Sequence, residues 1–468
     1  SLFGCGSESA PVPVRPVSTD PWSPVVYVSF DADGTLRIIS HRSEMGQGIR
    51  TGLPAVLADE MEADWSRVVV EQATGDAKYG DQNTDGSHSV RDFMHRMREA
   101  GATVRRMLEQ SAAEQWGVDV AECRADLHKV VHQSSGRALD FSELVAGAAA
   151  LPVPGLEQLT FKSRDEFRYI GKDLPIVDMH DMTHGTANYG ADIRLPGMKF
   201  AAIARPPVVF GKVKSYDASR TLAVAGVEQV VEIPAAEPPA LYKALGGLAV
   251  IASNSWAALK GRDLLSVEWD DGPNADYDSA AYKTALLEAV RRPGTVQRNE
   301  GDVDAALAAA ERKIEAEYYA PHLAHAPMEP PAAVASVTPE FCEVWAPVQD
   351  PQSLIPMAEA VTGLKPGQIR INVTLLGGAF GRKSKCDFAE EAVYLSKQLG
   401  TPVLVQWSRE DDIRHDYVHS VSAQRLEAGL DERGAVTAWK HRACYPTIFS
   451  TFDAAAREPV TLELGLGA

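Results

Sequence analysis

Apolar and polar residues alternate between Ile369 and Leu375, with Ile369, Ile371, Val373 and Leu375 on one side and Arg370, Asn372 and Thr374 on the other. That is the period of a half-buried strand. Further on, Phe388, Ala392, Leu395 and Leu399 recur at helical spacing, and Gly400 supplies a stop. Between strand and helix lies Gly377-Gly378-Ala379-Phe380-Gly381-Arg382-Lys383. A glycine loop at such a junction offers backbone N–H groups to an anion and, lacking Cβ atoms, lets a ligand approach. Most such loops only turn the chain. Phe380, set between glycines and beside a basic pair, fits a loop shaped around a flat ligand.

The same strand, loop and helix order recurs earlier. Val25 to Phe30, an Asp31–Gly34 turn and Thr35 to Ser40 read as a hairpin. Glu44-Met45-Gly46-Gln47-Gly48-Ile49 follows, then a helix with Leu53, Val56, Leu57 and Met61 on one face. Two loops of one logic point to a long cofactor held at more than one place. The polar stretch Asp81–Arg91 feeds a helix whose face is Phe93, Met97, Ala100, Val104 and Met107. Ser87, His88 and Ser89 stand at its start, as N-caps or as phosphate ligands.

The remaining pattern is mixed. Lys199–Ala204 and Gly226–Ile233 read as strands of a compact α+β unit that begins near Tyr169 and continues through Trp269. Asp270–Glu300 reads as a helix-bearing connector, Val303–Glu311 as a helix and Lys313–Tyr319 as a strand. Phe341–Val348 reads as a strand ending at Gln349, a residue that either turns the chain or donates a hydrogen bond into a cleft. Pro402–Trp407 is a strand, Ser408–Asp412 a charged turn, and Val421–Gly429 with Ala435–His441 a hairpin; no terminal helix is expected. Residues 6–24, rich in proline, read as an extended tether.

Charge and cysteine usage narrow the chemistry. Lys plus Arg is 46 against 64 Asp plus Glu, a net charge of −18, which disfavours nucleic acid or an anionic membrane as partner. No apolar run approaches the roughly 18 residues of a spanning helix. Cys5, Cys123, Cys342, Cys386 and Cys444 are scattered, so they form neither a zinc ribbon nor an iron-sulfur cluster alone; any redox electrons leave through another chain. The loop Gly377–Lys383 is not a P-loop, since Arg382 stands where that motif needs glycine, and neither glycine loop is a dinucleotide fingerprint. His322, His325 and Glu329 have metal-ligand chemistry, but Pro321, Pro327 and Pro330 disfavour a ligand-presenting helix. No protein ligand to a metal is assigned. Ser1-Leu2-Phe3-Gly4-Cys5 has the look of an export-signal end with a lipoprotein-type cysteine, the expectation being a periplasm-facing protein, lipid-anchored at Cys5.

Taken together, Gly377–Lys383, Glu44–Ile49, Asp85–Arg91, Gly171–Pro175 through Leu195–Met198, and His325–Pro330 resemble the molybdenum-binding large subunits of the xanthine oxidase family. The branch most similar is that of the isoquinoline 1-oxidoreductase beta subunit, with its exported aldehyde dehydrogenases. The resemblance implies an α+β fold. Its parts would be an export-signal remnant and tether (1–24), a rearranged part of the second molybdopterin-binding domain (25–168), a small hammerhead α/β domain (169–272) and the first molybdopterin-binding domain (273–468), incomplete at its C-terminus. It implies molybdopterin, as the cytosine dinucleotide with Mo. Gly46, Gln47, Gly48, Ser87 and Ser89 would hold pterin and phosphates, and Gly378, Ala379, Phe380 and Gly381 would pack on the dithiolene end. Gln349 would hydrogen-bond an oxo ligand. The implied activity is oxidation of aldehydes or N-heteroaromatic compounds with water as oxygen source. Electrons would pass to a small [2Fe-2S] subunit and on to an acceptor such as a cytochrome c. The family's general-base glutamate has no counterpart here, since Glu463 lacks its glycine-flanked setting; either the chain is a fragment or it is one part of a split subunit whose remaining C-terminal half is carried by a further chain, and this chain alone is expected to be inactive. The rival reading is a cofactor-less exported scaffold that binds a small molecule.

Overall fold

A computed structural model describes residues 22–31 and 35–466. Cys5, the proline-rich stretch through Asp20 and the Ala32–Gly34 turn lie outside them. The chain divides into two compact units. One takes the described residues through Lys199 together with Pro327–Gln406, and the other takes Phe200–Ala326 with the residues from Trp407 onward.

In the first unit, strands Trp22–Val25, Val28–Phe30, Leu36–Ser40 and Val68–Gln72 pair in that order. The last two are parallel, joined across the helix Ile49–Met61. This differs from the single strand expected over Val25–Phe30, and Trp22–Pro24 belong to a strand rather than a tether. The chain reverses at Val26–Tyr27 because Trp22 stacks on Phe30 at 5.4 Å and buried Tyr27 donates its hydroxyl to the Tyr79 carbonyl at 2.8 Å. Helix His88–Trp116 packs on Ile49–Met61, burying the expected stripe of Phe93, Met97, Ala100, Val104 and Met107. Their core is continuous with Val28, Phe30, Leu36 and Ile38 of the sheet, and burial of such side chains contributes roughly 1.5–3 kcal/mol each.

The same unit holds strands Val403–Gln406, Ala332–Val337, Cys342–Ala346 and Ile369–Val373, adjacent in that order, the last pair parallel. The crossover of that pair is helix Pro351–Thr362, started by Asp350, whose side chain accepts from the Ser353 N–H. Helix Asp387–Leu399 buries Phe388, Ala392 and Leu395 and ends at Gly400 in the left-handed region, φ 63°. The preceding strand stops at Val373, earlier than its alternation implies, because Leu375 leaves it to bridge Tyr189.

In the second unit, strands Lys199–Ala204, Gly247–Ala252 and Val227–Ile233 form antiparallel neighbours, with helix Ser255–Asp263 against Gly247–Ala252. A separate three-stranded sheet joins Arg312–Ala320, Ser422–Leu430 and Val436–Cys444. Helices Ser279–Val290 and Val303–Ala309 lie against it. Two corrections arise here. The charged turn Ser408–Asp412 is the start of a helix, Arg409–Arg414, because Ser408 and Asp411 cap one another and bury the acidic pair. A short helix, Thr461–Leu466, also forms, and Glu463 accepts the Val460 N–H at 2.7 Å and the Thr447 hydroxyl at 2.9 Å.

Candidate cofactor-binding site

Both glycine loops lie in the first unit, and hydrogen bonds tie them together. The Leu376 N–H donates to the Glu44 carbonyl at 2.9 Å, and the Ser43 hydroxyl donates to the Val348 carbonyl at 2.8 Å. Gln349, 2% exposed, is the knot. Its side-chain amide donates to the Thr84 carbonyl at 2.7 Å and accepts from the Gly381 N–H at 3.1 Å. Its backbone N–H donates to the Lys383 carbonyl, while its carbonyl accepts from the Thr84 N–H. The amide keeps one further N–H to give.

Each loop is shaped by a carboxylate in a role that the sequence does not signal, Glu329 being noted there only for its metal-ligand chemistry beside His322 and His325. Glu44, buried, accepts the N–H groups of Gly46 at 2.8 Å, Gly48 at 2.9 Å and Arg50 at 3.0 Å. Those amides are therefore committed to an internal anion, in place of the open anion cradle that the glycines led us to expect. Gln47 folds back on its own loop, accepting from the Met45 N–H and donating to the Ser43 carbonyl. What this loop offers a ligand is the Cβ-free surface of Gly46, where an added Cβ meets nothing within 4 Å.

Glu329 does the same for the second loop. Its carboxylate accepts from the Gly190 N–H at 2.9 Å, the Gly377 N–H at 3.0 Å and the Lys383 ammonium at 2.7 Å. A Cβ on Gly377 would meet the Glu329 Cβ at 2.5 Å, so this position needs glycine. Arg382 is buried in a bidentate pair with Asp387, at 2.8 and 2.9 Å. The basic pair thus anchors the loop from below. Above it Phe380 adopts φ 57°, a left-handed conformation that costs a non-glycine residue of order 1 kcal/mol or more, and its ring is 66% exposed. The N–H of fully buried Ala379 meets no acceptor among the described residues. A strained, outward ring beside an unused amide fits a flat polar group resting on the loop, and so fits the dithiolene end of a pterin cofactor.

At the start of His88–Trp116, Ser87 has φ 58° and makes no cap bond with its side chain. Ser89 accepts from the guanidinium of Arg42 at 2.9 Å. Arg42, fully buried, also donates to the carbonyls of Asp81, at 2.6 Å, and of Asn83, and lies 5.2 Å from the Phe93 ring centroid. A fixed cation under a helix N-terminus suits a phosphate. Nothing periodic marks Arg42 in the sequence.

The histidines noted in the sequence have other partners. His322 pairs with the Tyr277 hydroxyl at 2.8 Å, and His325 with Asp416 at 2.9 Å. Beneath the second loop, burial pushes the Cys386 thiol well above its ordinary value, aided by Asp350 and Asp387, so it is inert packing rather than a nucleophile.

Two molybdopterin cofactor-binding domain models match the chain, one over residues 3–193 and one over 288–448. These matches define a molybdopterin-binding protein. Among curated relatives, the beta subunit of isoquinoline 1-oxidoreductase from Brevundimonas diminuta is 29% identical, over 88% of this chain and 57% of its own length. The membrane-bound aldehyde dehydrogenase (pyrroloquinoline-quinone) of Gluconacetobacter polyoxogenes is also 29% identical, over 91% of this chain and 56% of its own length. A nicotinate dehydrogenase subunit from Pseudomonas putida is 26% identical, over 90% of this chain and 35% of its own. The chain belongs to the molybdopterin-binding subunits of the xanthine oxidase family. It spans between about a third and somewhat more than half of the length of these three relatives.

Proposed function

We propose that this chain is the cofactor-holding portion of a molybdenum hydroxylase that oxidises aldehydes or N-heteroaromatic compounds, with water as oxygen source. Electrons would leave to a [2Fe-2S] partner, since the four cysteines among the described residues, Cys123, Cys342, Cys386 and Cys444, are free and apart. The observation that carries the proposal is the hydrogen-bond network around Gln349 within one unit: Gln349 joins the second glycine loop to Thr84 on the approach to the serine-bearing helix, and the Leu376–Glu44 and Ser43–Val348 bonds tie in the first loop. The names of the relatives support the substrate classes.

When bound, the molybdenum cofactor supplies the two-electron oxidation. The chain's own residues hold it. Phe380 and the unused Ala379 N–H would seat its dithiolene end, Gln349 would turn its remaining amide N–H to the metal end, and Gly46 would let the pterin approach closely. Ser87 and Ser89 would receive the phosphates of a cytosine dinucleotide, with the buried Arg42 fixing Ser89 from beneath. A glutamine suits the metal end because it donates a hydrogen bond without adding charge. Glu463 does not serve as general base. Burial alone would raise its pKa, yet hydrogen bonds from Val460, Thr447 and Ile448 hold it below the ordinary value, as befits a cap. The base would come from outside this chain, and a periplasm-facing location is part of the same reading.

The test is the molybdenum and nucleotide content of protein purified from its native host with its associated chains. Equimolar molybdenum and CMP are expected. Absence of molybdenum from a preparation that retains those chains would favour a scaffold without cofactor.

A further inference from the structure

We propose that the open face of the sheet Arg312–Ala320, Ser422–Leu430, Val436–Cys444 is the docking surface for the polypeptide that supplies what the relatives contain and this chain does not match. Register places Ile314, Ala428 and Trp439 in one cross-strand row, and Ala316, Leu426 and His441 in the next. Tyr318 shares the face one row further on. Ile314 is 47% exposed, Tyr318 58% and Trp439 57%.

The opposite face is already covered. Leu286 and Val290 of the helix Ser279–Val290 bury against Ala423, with Tyr319 and Cys444 partly buried beside them. Arg291 pairs with Glu317 at 2.7 Å and Lys440 with Asp304 at 2.5 Å on that side. An antiparallel sheet with one covered face turns polar residues to water on the other. Here the uncovered face is the one carrying a tryptophan, a tyrosine, an isoleucine and a leucine. Strand Arg312–Ala320 is moreover paired on one side only, leaving a backbone edge beside this face.

Size decides between occupants. With aromatic side chains offering roughly 150–250 Å² each, the patch amounts to about 300–400 Å². That is well short of the roughly 800 Å² per partner of a stable association, so a second copy meeting this face alone would be weakly held. The Brevundimonas relative, by contrast, leaves 43% of its length (100 − 57) without a counterpart here. A polypeptide of that extent can cover this face and others together. The occupant is thus an aliphatic and aromatic layer with few charges. The inference rests on the chain being part of a larger assembly, as the proposed function holds.

Hydroxyl-radical labelling of Tyr318 and Trp439, with amine crosslinking from a lysine placed on the same face by Ala443→Lys, compares the isolated 468-residue chain with the assembly from the native host. Labelling is expected to fall severalfold in the assembly. Crosslinks should enter sequence homologous to the unmatched part of the isoquinoline 1-oxidoreductase relative, and the mass of the crosslinked band tells a continuation of this chain from a separate subunit. Equal labelling in both samples overturns the proposal, as do crosslinks joining two copies of this chain or reaching only an iron-sulfur subunit. The double variant Tyr318→Glu, Trp439→Glu should melt as the wild-type chain does yet fail to assemble, and normal assembly would also overturn it. If that variant does not fold, labelling of the wild type decides. Molybdenum is measured in the same preparation. A protected sheet without molybdenum sinks the cofactor reading alone, and molybdenum with an unprotected sheet sinks this one alone.

Discussion

Carboxylates, more than glycines, set the shape of the candidate site. Glu44 holds three loop amides, so Glu44→Ala should destabilise the chain by about 1–3 kcal/mol and lower molybdenum retention, while Glu44→Gln keeps part of both. Unchanged retention in Glu44→Ala would show that the loop needs no such internal anion. Gln349 presents a sharper case. Its role as a hydrogen-bond donor to the metal end predicts lost turnover with normal molybdenum content on truncation. The observed clamp predicts more, because Gln349→Ala takes the partner from the buried Thr84 carbonyl and from the part-buried Gly381 N–H, at a cost of about 1–3 kcal/mol. Cofactor retention should fall with turnover, and normal molybdenum with normal melting would remove the clamp. Phe380 separates stability from binding. Phe380→Gly relieves the left-handed strain, so it should raise the stability of the cofactor-free chain by about 1 kcal/mol while weakening retention. A thermal melt beside a molybdenum assay reads both, and intact retention would make the ring incidental.

Helices and strands with a strong period were legible in advance, and the reason is physical. The stripe Phe93, Met97, Ala100, Val104, Met107 and the stripe Phe388, Ala392, Leu395 bury as their spacing requires, because one core covers one face. The alternation at Arg312–Ala320 was equally plain to read, although its apolar side faces outward. What could not be read are contacts that join distant residues by side chain to backbone: Glu44 to its loop, Glu329 to Gly190 and Gly377, Arg42 to Asp81 and Ser89. Such pins have no period, and a glycine loop looks alike whether its amides are open or filled. The reversal at Val26–Tyr27 was missed because Tyr27, alternating in sequence like a strand residue, is fixed by a hydrogen bond to Tyr79, 52 positions away. Capping residues form an intermediate class, local enough to recognise. Asp140 starts the helix Phe141–Ala149 with a capping box and pairs with Arg67. Asp140→Ala should cost about 1–2 kcal/mol, seen as a lower urea midpoint, and an unchanged midpoint would mean that this helix is held by Phe141 and Leu144 alone.

His41 and His128, both buried, and the partly buried His415 give the whole molecule an acid response that is independent of any cofactor. Burial lowers His41 to about 3, with Arg42 and Arg96 adding to the effect, and lowers His128 and His415 to about 4. His41 lies between the rings of Tyr27 and Phe93, at 5.1 and 4.3 Å, and neither of its nitrogens has a hydrogen-bond partner among the described residues. Above the ordinary value of 6.5 both the folded and the unfolded chain hold these rings neutral, and stability is full. As pH falls below 6.5 the unfolded chain takes up protons that the folded chain refuses until about 4, and about 3 for His41, so stability drains away across that window. Buried Asp59 acts later. Burial would raise it, but hydrogen bonds from Ile170, Lys162, Tyr169 and Arg168 hold it below 3.8, so its contribution is lost only in stronger acid. The His41 term alone amounts to about 2–3 kcal/mol by about pH 4.5. His41→Phe removes that term and leaves an apolar ring between two others. Its urea midpoint should therefore fall less steeply than that of the wild type between pH 7.5 and 4.5, and be no lower at pH 7.5. Parallel pH profiles for the two proteins would mean that His41 gains a proton in the folded state and that its burial is opened by acid well before the chain unfolds.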